Sequence, residues 1–68
     1  MPSTVIRQFD YRAASRELVI TFVTGRSYVY SDVPEEAVRR FRTAFAKGVH
    51  FNRFIRGHYS CRELDETS

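Results

Sequence analysis

The stretch ELVITFVTGRSYVYSDVP, residues 17–34, decides the fold. Two runs of β-branched and aromatic residues flank a Gly-Arg pair, the composition of two strands joined by a tight turn. Glycine takes positive φ without steric penalty, so Gly25-Arg26 suits a two-residue type II′ turn. That turn predicts four cross-strand pairs: Thr24 with Ser27, Val23 with Tyr28, Phe22 with Val29 and Thr21 with Tyr30. Leu18, Ile20, Phe22 and Val29 then share one face, and Val19, Thr21, Val23, Tyr28 and Tyr30 share the other. The first face is wholly apolar and takes the core. The second is amphipathic and would be left uncovered.

Pro34 opens a helix. Its ring favours the first helical position and pushes Val33 out of the α region, so Val33 is the expected N-cap. Asp32, Glu35 and Glu36 bring negative charge to the end where the helix dipole favours it. At helical spacing Ala37, Val38, Phe41, Ala44 and Phe45 fall in one arc, with Arg39, Arg40 and Lys47 pointing away and Arg42 at its border. Ala46-Lys47-Gly48 interrupts this helix, and a second is expected from about Val49 to Arg56. Phe51, Phe54 and Ile55 form its apolar stripe, Gly57 ends it, and Tyr59 folds back onto the core. Upstream, residues 3–11 read as a first strand whose apolar parity of Val5, Phe9 and Tyr11 is interrupted by Arg7, a charge tolerable on an edge strand. Residues 12–15 make a hairpin-length loop.

The prediction is an α+β fold: a three-stranded antiparallel β-meander followed by two C-terminal helices packed on one sheet face. It forms a single domain over residues 1–62, with a disordered acidic tail at 63–68. A chain of 68 residues buries only roughly 60% of its unfolded surface, so each large apolar anchor counts. The 43% hydrophobic content and ten aromatic residues argue for a packed core. One cysteine cannot make an internal disulfide, and no apolar run approaches the ~18 residues of a membrane span, which points to the cytoplasm.

Charge is distributed unevenly. Residues 34–62 hold six Arg and one Lys against Glu35 and Glu36, and from Ala37 to Arg62 there is no acid at all. Ten of the eleven basic residues are arginine, whose fork matches phosphate oxygens bidentately. Arg39, Arg40, Arg42, Lys47, Arg53 and Arg56 are therefore candidates for one surface that binds RNA or another polyanion. Glu35–Arg39 and Glu36–Arg40 are i,i+4 pairs in the favourable order, so those two arginines could serve helix stability instead. The rival surface is the Val/Tyr face: Val19, Val23, Tyr28 and Tyr30 suit a protein partner or a homodimer.

Other chemistries find little support. His50, His58 and Cys61 are the only His and Cys residues, and their spacing matches no zinc pattern, so neither metal nor cofactor is expected. Cys61 with His58 lacks an orienting third group. A chain this short also has little room for the ~300 Å³ or larger pocket of a typical small-molecule site. No enzymatic activity is expected.

The ordered set Leu18, Ile20, Phe22, Gly25, Tyr28, Tyr30, Val33 and Pro34, then Gly48, Phe51, Asn52, Ile55, Arg56 and Tyr59, resembles the KTSC family. That family is named for a small domain at the C-terminus of some lysyl-tRNA synthetases and also occurs as short stand-alone proteins, of which this chain would be one. The likeness covers about residues 3–62. It implies the fold above and suggests contact with RNA of the tRNA kind; it brings no established catalytic residues. This chain has Ala46 where the family often has Ser, a residue that would cap the second helix. Asn52 and Arg56 are the two polar residues within the second part of the set, suited either to a ligand or to tying helix to sheet.

Overall fold

In the computed structural model, which describes residues 6–64, β1 (Ile6–Arg12), β2 (Glu17–Phe22) and β3 (Ser27–Tyr30) form an antiparallel meander, as the alternation predicts. α1 (Glu35–Thr43) follows, then α2, which is α-helical over Lys47–His50 and π-helical over Phe51–Ile55. A fourth strand, β4 (Cys61–Leu64), pairs antiparallel with β3, giving the sheet order β1-β2-β3-β4. The fold is thus α+β with four strands rather than three. Unpaired backbone groups along β3 need a partner, and the segment after the helices supplies it. Part of the expected tail is therefore strand: Glu63 and Leu64 stand opposite Tyr28 and Ser27, while 65–68 lie outside the described residues.

The hairpin between β2 and β3 departs from the two-residue turn. Gly25 N–H donates to the Phe22 carbonyl (2.9 Å) and Phe22 N–H to the Arg26 carbonyl (2.8 Å), enclosing a three-residue loop, Val23-Thr24-Gly25. Gly25, at φ +98°, is the left-handed residue that closes it rather than the first central residue of a II′ turn. The pairs become Leu18 with Tyr30, Val19 with Val29, Ile20 with Tyr28 and Thr21 with Ser27. This differs from the expected register by an odd number of residues, which exchanges the faces of β3. Tyr28 and Tyr30 join Leu18 and Ile20 on the helix side, and Val29 moves to the back.

The core lies between that face and the helices. Leu18, Ile20, Val33, Val38, Phe41, Phe51 and Ile55 are buried, and Phe9 meets Phe41 edge-on at 4.8 Å. Each such side chain contributes roughly 1.5–3 kcal/mol. A β-bulge at Arg7, between the pairs Ile6–Phe22 and Gln8–Thr21, turns its charge to solvent and keeps Ile6, Phe9 and Tyr11 on the core face. The Tyr11 hydroxyl donates to the Val33 carbonyl at 2.7 Å, fastening β1 to the start of the helical region.

α1 is shorter than its apolar spacing suggests. Pro34, not Val33, is the N-cap, and the helix stops at Thr43, whose hydroxyl donates back to the carbonyls of Arg39 (3.1 Å) and Arg40 (3.3 Å). Ala44 is extended, its carbonyl accepting from Lys47 Nζ at 3.2 Å. Phe45, expected in the core, is consequently 104% exposed. α2 begins at Lys47 without a side-chain cap, Ala46 having none to offer.

Candidate ligand cleft

The register that carries Tyr28 and Tyr30 to the helix side also builds a cleft. It has a volume of about 420 Å³ and opens between the β3–β4 edge of the sheet and α2. Phe22, Tyr28 and Tyr30 form its floor, with Cys61 directly opposite Tyr30 on β4. Gly48, Phe51, Asn52, Arg56 and Gly57 form its helical wall. The expectation that a chain this short has little room for such a space is not met. Its rim is the helical segment lying over the sheet edge.

The π-helical winding shapes that wall. Arg56 N–H donates to the Phe51 carbonyl at 2.8 Å, an i→i−5 bond, so each residue turns through less than the 100° of an α-helix. Phe51 and Ile55 stay buried, whereas Phe54, expected beside them, rotates out to 53% exposure. Arg56 Nη1 donates to Asn52 Oδ1 at 3.3 Å, holding the guanidinium along the cleft. Gly57, at φ +82° with open space where a Cβ would stand, then turns the chain toward β4.

Among the described residues the lining contains no carboxylate and Arg56 is its one charged side chain; Glu63, opposite Tyr28 on β4, is paired with Arg26 at 3.8 Å instead. The rings interlock edge-on: Phe22 to Tyr28 at 5.7 Å, Phe22 to Phe51 at 5.3 Å and Tyr30 to Phe51 at 5.5 Å. Tyr30 is 5% exposed, and burial, with a smaller contribution from neighbouring Cys61, pushes its hydroxyl pKa up to about 12. It therefore stays a neutral O–H donor across the ordinary pH range. Donors, aromatic surface and one fixed positive charge together suit a flat organic anion.

The six basic candidates do not meet as one patch. Arg40 pairs with Glu36 at 2.9 Å, as the i,i+4 spacing predicts, and lines a separate groove of about 180 Å³ between α1 and α2 with His50, Phe54 and Tyr59. Arg42 lies over the Phe9 ring, 6.0 Å from its centroid, on edge strand β1. Arg56 belongs to the cleft at the opposite edge. Lys47 caps the end of α1, and Arg39 and Arg53 are exposed with no ion pair among the described residues. Helical residues on different flanks face different neighbours, which sequence spacing alone does not resolve. His58 Nε2 donates to the Arg53 carbonyl at 3.0 Å, so its ring is engaged at the helix end, away from Cys61's role in the cleft lining.

The Val/Tyr interface likewise dissolves. Tyr28 and Tyr30 face the cleft, Val23 is exposed in the hairpin loop, and only Val19 remains on the back of the sheet. That back face is polar. Arg12 (3.8 Å) and Arg62 (3.6 Å) both reach Glu17, the latter across the strand that carries buried Val29.

The family model of the KTSC domain matches residues 2–59. The chain belongs to the KTSC family. A KTSC domain protein from Yersinia pestis, known from its crystal structure, superposes with a TM-score of 0.89 at 34% identity, covering 96% of this chain and 92% of that one. A lysine–tRNA ligase of Nostoc punctiforme is 38% identical over 61 residues, 90% of this chain. A second, from Trichormus variabilis, is 29% identical over 59 residues, 87% of this chain. This KTSC domain spans about a tenth of the length of those ligases, 11% and 10% respectively. Seven residues of the set that carries the resemblance line the cleft of this domain: Phe22, Tyr28, Tyr30, Gly48, Phe51, Asn52 and Arg56. In the sequence only Asn52 and Arg56 stand out from the rest as polar. The cleft itself was invisible there, because it depends on the β3 register and the π-helical turn.

Proposed function

We propose that this KTSC domain is a small non-catalytic module that binds RNA or another polyanion, anchored at Arg56. The observation that carries the reading is the cleft in which Arg56 stands beside aromatic rings, with no carboxylate in its lining among the described residues. Similarity to segments of two lysine–tRNA ligases adds support. Exposed Arg53, three residues before Arg56, would add a backbone contact, while Arg42 on the far edge would take no part. A protein-interaction role through Val19, Val23, Tyr28 and Tyr30 has lost the common face it required.

Fluorescence anisotropy with labelled tRNA and with a short single strand, repeated across salt, tests the proposal. With the two phosphates on Arg56 and Arg53 contacted on a single strand, log K should fall against log salt with a slope of about −1.4. Arg56→Gln and Arg53→Gln should weaken binding, and Arg42→Gln should leave it unchanged. Absence of binding at low salt, or equal losses from Arg42→Gln and Arg56→Gln, would overturn it.

A further inference from the structure

We infer that the cleft seats one unpaired nucleotide, its base against the Tyr28 and Phe22 rings and its phosphate on Arg56 and Asn52; this rests on the RNA-binding reading and specifies its ligand. Volume, ring surface, charge, free donors and enclosure lead there. The volume, about 420 Å³, lies within the ~300–1,000 Å³ that small organic ligands occupy. Phe22 and Tyr28 are only partly buried, so ring surface remains on the cleft side, and stacking on aromatic rings tolerates any base.

The charge count fixes the anion. One guanidinium among nine lining residues balances a single phosphodiester, offsets roughly half the charge of a terminal monophosphate and leaves a pyrophosphate largely uncompensated. Arg56 uses one N–H on Asn52, which leaves four donors on the fork and the two N–H groups of the Asn52 amide. Tyr30 adds a hydroxyl that makes no hydrogen bond to oxygen or nitrogen among the described residues, although its residue is 95% buried. It stands at the floor of an open cleft with the Cys61 thiol as its hydrogen-bond partner, a weak one that a ligand oxygen would outcompete. A paired base cannot enter a space walled by sheet and helix, so the ligand must be single-stranded or an end.

Cys61 provides the readout. It is the chain's one cysteine and is exposed, so a thiol reagent reports occupancy of the cleft directly. The full chain would be titrated with adenosine monophosphate, adenosine, inorganic phosphate, a five-nucleotide single strand and a duplex, following amide shifts and Cys61 labelling. The monophosphate and the single strand should slow labelling and shift the amides of Gly48, Asn52 and Gly57, and the duplex should do neither. Arg56→Gln should weaken the monophosphate about tenfold or more, as loss of hydrogen bonds to a charged group does. Tyr28→Leu, which keeps apolar bulk, should weaken adenosine and the monophosphate and leave phosphate unaffected.

Two results would overturn the inference while the RNA reading stands. Phosphate could bind as tightly as the monophosphate, or the single strand could bind with the Cys61 rate and cleft amides unmoved. If neither nucleotide nor strand binds anywhere, both readings fall.

Discussion

Phe41 and Phe45 are four residues apart on one apolar stripe, and replacing each by alanine separates the fold described here from the helix that spacing alone predicts. Phe41 is 0% exposed and packs edge-on against Phe9, whereas Phe45 lies beyond the end of α1 at 104% exposure. Truncating a fully buried phenylalanine costs ~3–5 kcal/mol, counting both lost transfer energy and the cavity left behind. Truncating Phe45 removes nothing that is buried. A domain of this length has a total stability of roughly 3–10 kcal/mol, so Phe41→Ala consumes much or all of it. Urea unfolding followed by circular dichroism is the assay. With a slope of ~1 kcal/mol/M for so small a domain, the Phe41→Ala midpoint should drop by about 3 M or more, and Phe45→Ala should coincide with wild type. If Phe41→Ala has no folded baseline, Phe41→Leu, expected to lose under ~1.5 kcal/mol, places the residue in the core instead. A Phe45→Ala loss comparable with that of Phe41 would refute the reasoning, because α1 would then have to continue past Thr43.

Two further outcomes follow from the backbone and from His50. Gly25→Ala meets no atom within 4 Å, so its effect is purely conformational: ~1–2 kcal/mol for a positive φ, partly offset by a stiffer unfolded chain. Thermal denaturation should show a loss of several degrees, smaller for Gly25→Asn, and an unchanged melting temperature would contradict the three-residue loop. Burial and the nearby Arg40 charge hold the His50 pKa below 6.5, so the unfolded chain takes up that proton first as pH falls. Stability should therefore decline on acidification from pH 6.5 toward the folded-state pKa, and His50→Gln should flatten that part of the profile. A profile rising toward acid in that window would show the sign to be wrong.

Much of the architecture was legible because its signals are local. The β2 and β3 runs, the helix opened by Pro34 and the break before Gly48 all follow from composition within a few residues. The expected class, α+β with an antiparallel sheet and two helices, stands. What sequence missed is set by tertiary context. Gly25 is compatible with either a two- or a three-residue loop, and choosing between them requires β3 to be packed. β4 had the composition of a tail, and it forms because β3 offers an edge. Phe54 has the spacing of a core residue in an α-helix, and only the π-helical bond from Arg56 to Phe51 turns it outward. The basic candidates were legible as charges, and their separation was not, since Arg42 and Arg56 belong to opposite edges of the sheet.

These departures share a consequence for the site. Had the hairpin closed on two residues, Tyr28 and Tyr30 would face away from the helices and the cleft would lose half its floor. Had α2 stayed α-helical to its end, Phe54 would turn inward and the Arg56 N–H would bond the Asn52 carbonyl in place of that of Phe51. The same segment's arginines then fall into distinct physical roles. Arg40 is matched to Glu36 on the helix surface and Arg42 to the Phe9 ring, while Arg56 meets only an amide, in a cleft whose lining holds no carboxylate among the described residues. An exposed ion pair such as Arg40–Glu36 is worth under ~1 kcal/mol and gains little from further burial. A guanidinium held by a neutral partner keeps its full charge available, so Arg56, unlike exposed Arg39 and Arg53, pairs an uncompensated charge with a cleft lined by aromatic rings. On the proposed reading, that asymmetry, rather than the net charge of +3, directs an anion to the cleft.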